Sequence, residues 1–327
     1  MYKKIKSISV LLVVILISNI CTSRAFAQKK FDKQLKFEER VGVESLNYVQ
    51  VSESVIMVHN EKAQGSNMTC IALDDGLVFF DCSLFTEVGQ KFRADMEQKY
   101  ERKTLALVQT HAHSDHFFGM GAFEDVPIIA SAKAQSNFNQ QLAIDFEKYK
   151  NNYKSVFPRF DKALESAKLR QPNIWFEQEL VLGSGDSKLI LRDASGHTDC
   201  SIYAYFEKEK VIVTGDNVQV GYYPYFGDQS GNLYDWINVL KVWEGMDIKY
   251  VCAGHGPVTN KDYIAKTRSF FEKLMAKFEM LHSKAADLQQ IVSEVHKLEK
   301  YWPESNPKPG WYDPAIVRAY NKTFSKK

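Results

Sequence analysis

The chain has 327 residues, 45% of them hydrophobic and 13% aromatic, a composition that supports a sizeable core and excludes a disordered or fibrous protein. Its 42 basic and 40 acidic residues leave a formal charge of +2, too near neutrality for a nucleic-acid or anionic-membrane binder. Five dispersed cysteines exclude a disulfide scaffold and a Cys-x-x-Cys redox pair.

The first residues read as an export signal. "MYKKIK" is basic, "ISVLLVVILISNI" is apolar, and "AFAQ" offers a small-residue cleavage point after Ala27. The apolar run falls short of the ~20 residues that span a bilayer. The expectation is a signal peptide over 1–27, then a single domain over 28–327, exported to the periplasm or otherwise secreted, with no stable membrane anchor after cleavage. Next, "YVQVSESVIMVHN" and "NMTCIALDDGLVFFD" read as strands, with "DDG" as turn chemistry. "EVGQKFRADMEQKY" has helical spacing, "TLALVQT" is a short buried strand, and "VPIIA" is another. A helical insertion is expected near 131–170. Strands return in "NIWFEQELVL", "KLILRDA", "SIYAYFE" and "KVIVTG". The helix "LYDWINVLKVWEGM", the strand "KYVCAG" and a helical C-terminal tail complete the order. Strands and helices alternate through two halves, which suits an α/β sandwich with sheets inside and helices outside.

Directly after "TLALVQ" comes "THAHSDHFFG", which spends three of the eight histidines in six positions. Residues i and i+2 of an extended segment share a face, so His111 and His113 can point at one metal. Asp115 and His116 follow as the chain turns and can face a second. Imidazole nitrogen and carboxylate oxygen are donors that zinc accepts, usually four at a time, so further ligands must lie downstream. They stand at strand-to-loop junctions: His197 in "ASGHTD", Asp216 in "VTGDN" and His255 in "AGHGP". His59, His282 and His296 have no such setting. Cys70, Cys200 and Cys252 read as packing residues, as do Phe117 and Phe118.

This ordered series resembles the metallo-β-lactamase fold superfamily, whose mark is His-x-His-x-Asp-His followed by single His, Asp and His ligands. The resemblance covers roughly residues 55–267, with Asn67 in "GSNMT" and Asp81 in "VFFDC" matching its early part. It implies a four-layer αββα sandwich holding two zinc ions per chain. His111, His113 and His197 would bind the first, Asp115, His116 and His255 the second, and Asp216 would bridge them. Asp81 would orient a ligand from behind. Paired zinc ions lower the pKa of a shared water from 15.7 toward ~7, and the resulting hydroxide would attack a carbonyl with Asp115 orienting it and moving its proton. The expected partner is therefore a small-molecule substrate: an ester, thioester, lactone or lactam, with phosphate and sulfate esters further down the list.

Tyr222, Tyr223, Tyr225 and Phe226, in the loop after Asp216, are candidates for walling a substrate cleft. Two alternatives share the same ligands. One is a β-lactamase acting on antibiotics, although the familiar enzymes of that kind generally lack the bridging aspartate. The other is an iron-dependent oxidoreductase on the same fold.

Overall fold

In the computed structural model of the chain, residues 46–59, 65–143, 151, 165, 167–168, 170–302 and 312–324 are described. The expected export signal lies outside them, as does most of the expected insertion near 131–170.

Two β-sheets lie face to face because their strands bury both surfaces. The first sheet runs in order through β1 (Asn47–Gln50), β2 (Val55–His59), β3 (Met68–Leu73), β4 (Gly76–Phe80), β5 (Thr104–Val108), β6 (Ile128–Ser131) and β7 (Ile174–Phe176). The second holds β8 (Glu179–Leu182), β9 (Leu189–Asp193), β10 (Ile202–Phe206), β11 (Val211–Gln219) and β12 (Tyr250–His255), in the order β12-β11-β10-β9-β8. Alternate side chains of a strand point to opposite faces. Accordingly Val55 and Met57 join Ile71, Val78 and Val108 in a core shared with Leu191, Ile202, Ala204 and Val213 of the second sheet. Their neighbours Ile56 and Val58 join Cys70, Phe79 and Leu107 on the opposite face. That double burial is why these strands read as continuous apolar runs rather than as an alternating pattern.

Helices cover both outer faces. Helix α1 (Thr86–Tyr100) lays Val88, Phe92 and Met96, spaced one turn apart, on the first sheet. A single turn, α2 (Ser114–Phe117), follows β5, and α3 (Gln135–Ala143) is the described start of the insertion. The second sheet is covered by α4 (Leu233–Gly245) and α5 (Lys261–Ser283), which contribute Trp236, Leu240, Trp243, Phe270, Phe271 and Phe278 to a third core. Asn232 and Asn260 cap these two helices by accepting backbone N–H bonds. The helical tail continues as α6 (Leu288–His296) and α7 (Asp313–Phe324). The four layers are therefore αββα, as expected. Among the described residues no helix is long and apolar enough to cross a membrane. Cys70, Cys82, Cys200 and Cys252 are all buried and free.

One expected strand divides. "NIWFEQELVL" forms both β7, at the edge of the first sheet, and β8, at the edge of the second. Gln178 between them has φ +60°, a left-handed corner that sends the chain across the sandwich. An alternating apolar pattern is the same on either side of such a corner, so periodicity cannot register the change of sheet.

The topology gathers one set of strand ends. Strands β4, β5 and β6 run parallel, as do β11 and β12. The chain after β4 and β5, the bulged end of β11, the end of β12 and the loop before β10 thus meet at one rim. There the Ile202 amide donates to the Thr110 carbonyl at 2.9 Å, tying the two sheets together.

Candidate metal centre

All seven expected ligands converge on this rim, in two groups whose donor atoms lie within 4.8 Å of one another. One group is His111, His113, His197 and Asp216; the other is Asp115, His116 and His255. In the first, His113 Nδ1 stands 3.0 Å from His111 Nε2 and 3.0 Å from His197 Nε2. In the second, Asp115 Oδ2 lies 3.1 Å from His255 Nε2 and 3.6 Å from His116 Nε2. Asp216 reaches both: Oδ1 is 3.2 Å from His116 Nε2, while Oδ2 is 3.4 Å from His255 Nε2 and 3.6 Å from His197 Nε2.

The atoms behind the rings fix which nitrogen carries the hydrogen, because an acceptor facing one ring nitrogen leaves the other bare. His113 Nε2 donates to Asp228 Oδ2 at 2.9 Å, and His197 Nδ1 donates to the Tyr225 carbonyl at 2.9 Å. His116 Nδ1 donates to Asp81 Oδ2 at 2.7 Å. Thr110 Oγ1 gives its own hydrogen to Asp81 Oδ2 at 2.8 Å, so it accepts from His111 Nδ1 at 3.0 Å. The lone pairs of His111 Nε2, His113 Nδ1 and His197 Nε2 therefore point at one another. Three converging lone pairs repel unless a cation lies among them. Where the two groups meet the indication is the same: His116 Nε2 and Asp216 Oδ1 are buried 3.2 Å apart, and neither makes a hydrogen bond, an arrangement that is costly for atoms denied water. Nitrogen and carboxylate donors in this number fit zinc.

Charge is distributed to match. Burial holds His111 well below the ordinary histidine value and pushes His197 down to about 4, so both stay neutral donors. Burial also works against the Asp115 carboxylate, yet His116 and His255 hold it down to about 2. Asp216, equally buried, is held well below the usual carboxylate range by His255 and His116. The two carboxylates draw positive charge into the site. Burial opposes a proton on His255, but Asp216 and Asp115 outweigh it and raise that imidazole to about 10.

The backbone is shaped around these ligands. Asp81 follows β4 with φ +56°, a conformation that turns its carboxylate onto the Thr110 amide, the Thr110 hydroxyl and His116 together. A Cβ at Gly254 would meet Asp216 Oδ1 at 2.0 Å, so only glycine lets β12 pass the central carboxylate. Asn67 fastens the loop around His255 by donating to the Ala253 and Gly256 carbonyls at 2.9 and 2.7 Å.

Asp81→Ala is expected to weaken metal binding about 10- to 100-fold, the usual effect of removing a group that orients a ligand. Both ligand groups should be affected, since Asp81 acts on His116 directly and on His111 through Thr110. Competition titration of the variant with a chromophoric chelator measures it.

The aromatic loop after Asp216 only partly meets expectation. Tyr222 is 44% exposed, with its ring centroid 5.8 Å from that of His255. Tyr225 is half-buried, its ring 6.2 Å from His197. Tyr223, expected in a cleft wall, is instead core, stacked edge-on against Tyr312 and Phe270. Phe226 is also core, although it borders a cavity of about 380 Å³ that touches His197 and Asp228. Phe117, Phe118 and Cys200 are buried packing residues, as their settings suggested. Sequence reasoning missed Asp228. Its "GDQSG" setting reads as a turn, and indeed Oδ1 accepts from the Ser230 amide and hydroxyl, while Oδ2 is left for a histidine 115 residues away.

A family model described as the metallo-beta-lactamase superfamily matches residues 62–255, a span that contains every one of these ligands. The chain belongs to the metallo-beta-lactamase superfamily. Among its relatives in the superfamily, acyl-coenzyme A thioesterase MBLAC2 of Homo sapiens is 24% identical over 151 residues, which are 45% of this chain and 50% of that protein. The match thus spans about half the length of this curated relative. Among solved structures, the sec-alkylsulfatase Pisa1 from Pseudomonas sp. superposes with a TM-score of 0.65 at 19% identity, covering 88% of this chain and 51% of that one. A metallo-beta-lactamase from Pontibacter korlensis gives 0.53 at 17% identity, covering 69% and 99% respectively. At these identities the two likenesses show a shared metallo-beta-lactamase fold and nothing narrower.

Proposed function

We propose that the chain is an exported, zinc-dependent hydrolase that uses two ions to cleave a small carbonyl substrate: a thioester, ester, lactone or lactam. The observation that carries this reading is the meeting of two ligand groups at Asp216, with the outer nitrogens of four histidines already satisfied. His111, His113 and His197 would hold one ion, and Asp115, His116 and His255 the other. Zinc bound there supplies Lewis acidity, polarising a carbonyl and making water acidic enough to attack near neutral pH.

The chain's own groups do the rest. Asp115, ionised and 20% exposed in its side chain, is within reach of substrate, whereas Asp216, at 6%, is not. Asp115 therefore serves as the proton carrier. It accepts the proton of the attacking water as the new C–O bond forms, then gives it to the leaving thiolate, alkoxide or amine as the old bond breaks. Tyr222 offers an aromatic face beside His255 for the apolar part of a substrate. The sequence match to the human acyl-coenzyme A thioesterase supports placing thioesters first among test substrates. Export rests on the basic, then apolar, then small-residue pattern of the first 27 positions.

The test is a hydrolysis screen on zinc-loaded protein with an acyl thioester, an aryl ester, a lactone, a β-lactam and a phosphodiester. At least one carbonyl substrate should be hydrolysed, with activity lost to a chelator and restored by zinc. Inertness toward all of them, beside oxygen uptake by the iron-loaded chain, would replace this reading with the oxidoreductase one.

A further inference from the structure

Two of the three histidines in the first ligand group take their orienting acceptor from one loop. His197 donates to the Tyr225 carbonyl and His113 to the Asp228 carboxylate, both at 2.9 Å. That loop, running from Gly221 to Asn232, has no regular secondary structure, so something else must set its position to the few tenths of an ångström that ligand orientation requires.

Helix α7 does this. Arg318 Nη1 donates to the Gly227 carbonyl. Lys322 Nζ donates to the Gln229 and Ser230 carbonyls at 3.0 and 2.9 Å. Their three acceptors flank Asp228 on both sides. Just before the helix, the Tyr312 hydroxyl donates to the Tyr223 carbonyl at 2.7 Å. The helix and loop are also in close contact, for a Cβ at Gly227 would meet that of Ala315 at 2.6 Å. The helix is in turn held from its other end, where Asp313 pairs with His296 of α6 at 2.7 Å. All of α7 lies beyond residues 62–255, the part of the chain that matches the family model.

We propose that the C-terminal helix is a strap for the metal centre, with Arg318 and Lys322 as positioning residues that act through Asp228 on His113 and so set the affinity of the first ligand group for its ion. This rests on the metal-centre reading above. A backbone carbonyl flanking Asp228 is fixed by each cation, the carboxylate between them is fixed as a result, and the imidazole it accepts from keeps Nδ1 aimed at the ion. The second group is oriented mainly from elsewhere, His116 by Asp81 and the loop around His255 by Asn67, and it meets this loop at the Tyr222 ring beside His255, so the strap bears chiefly on the first group.

The test is stepwise zinc titration of the chelator-stripped full chain, with His255→Ala used to identify which step belongs to the first group. Arg318→Ala combined with Lys322→Ala should weaken that step about 10- to 100-fold and change the other far less. Asp228→Asn should weaken the same step, and adding it to the double variant should cost little more, because all three act through one hydrogen bond. Arg318→Lys and Lys322→Arg, which keep a donor at each carbonyl, should restore most of the affinity. An unchanged first step in the double variant would overturn the strap. So would equal weakening of both steps together with a lower Tm, since that marks general destabilisation. A wild-type chain that takes up no zinc would overturn the metal-centre reading itself, a result the double variant alone cannot mimic.

Discussion

Asp216→Ala is expected to lower metal content and hydrolysis together, with turnover falling by about three orders of magnitude. The figure corresponds to losing the several kcal/mol that a well-held Lewis acid contributes, at 1.36 kcal/mol per tenfold. Asp216 is the one group whose two oxygens face both ligand groups, at 3.2 Å from His116 and 3.6 Å from His197. In the proposed centre, removing it would take a ligand from each ion and the shared negative charge that favours holding two cations side by side. The substitution also strips the Gln219 amide of its 2.7 Å acceptor, at a cost of about 1–3 kcal/mol. Asp216→Asn keeps the shape and an oxygen, and separates the two effects: it should melt close to wild type while still losing metal. Metal analysis, a melting curve and kcat on the same preparations check the prediction.

Asp115→Asn should behave differently. Its expected signature is a fall in kcat of about 10²- to 10⁴-fold, the range for removing a general acid–base, with much of the metal retained. His116, His255 and Asp216 remain as donors at the second position, and the asparagine keeps an oxygen in place of the carboxylate. KM should change little, because the lost interaction forms only as the proton moves. Metal content falling as steeply as kcat would show Asp115 to be a ligand alone.

These roles were unequally legible in the sequence. Candidate ligands are read from residue type, order and local backbone, and the gathering of all seven at one rim was legible: His255 between its glycines could be a loop histidine on its own, and its place in the ordered series is what marks it. The sandwich was legible for a related reason, since runs such as "MTCIAL" and "GLVFF" are apolar at every position only when both faces of a sheet are covered. What stayed hidden depends on partners far along the chain. Asp228 looks like a turn residue until the fold brings His113 across 115 positions. Thr110 looks like the end of a strand until Asp81 arrives beneath it. Tyr223 looks like Tyr222, its neighbour, and only the later arrival of Tyr312 and Phe270 buries the one and leaves the other exposed. The corner at Gln178 was hidden too, because a left-handed φ leaves no mark on an apolar pattern.

Zinc uptake per folded chain tests the central claim most directly, measured by elemental analysis after chelator stripping, reloading and removal of free metal. Two equivalents are predicted for the wild type, and about one for His111→Ala, which damages only the first group. A wild-type chain that melts cooperatively yet retains no more zinc than the His111→Ala variant would contradict the paired metal centre on which the proposed chemistry stands.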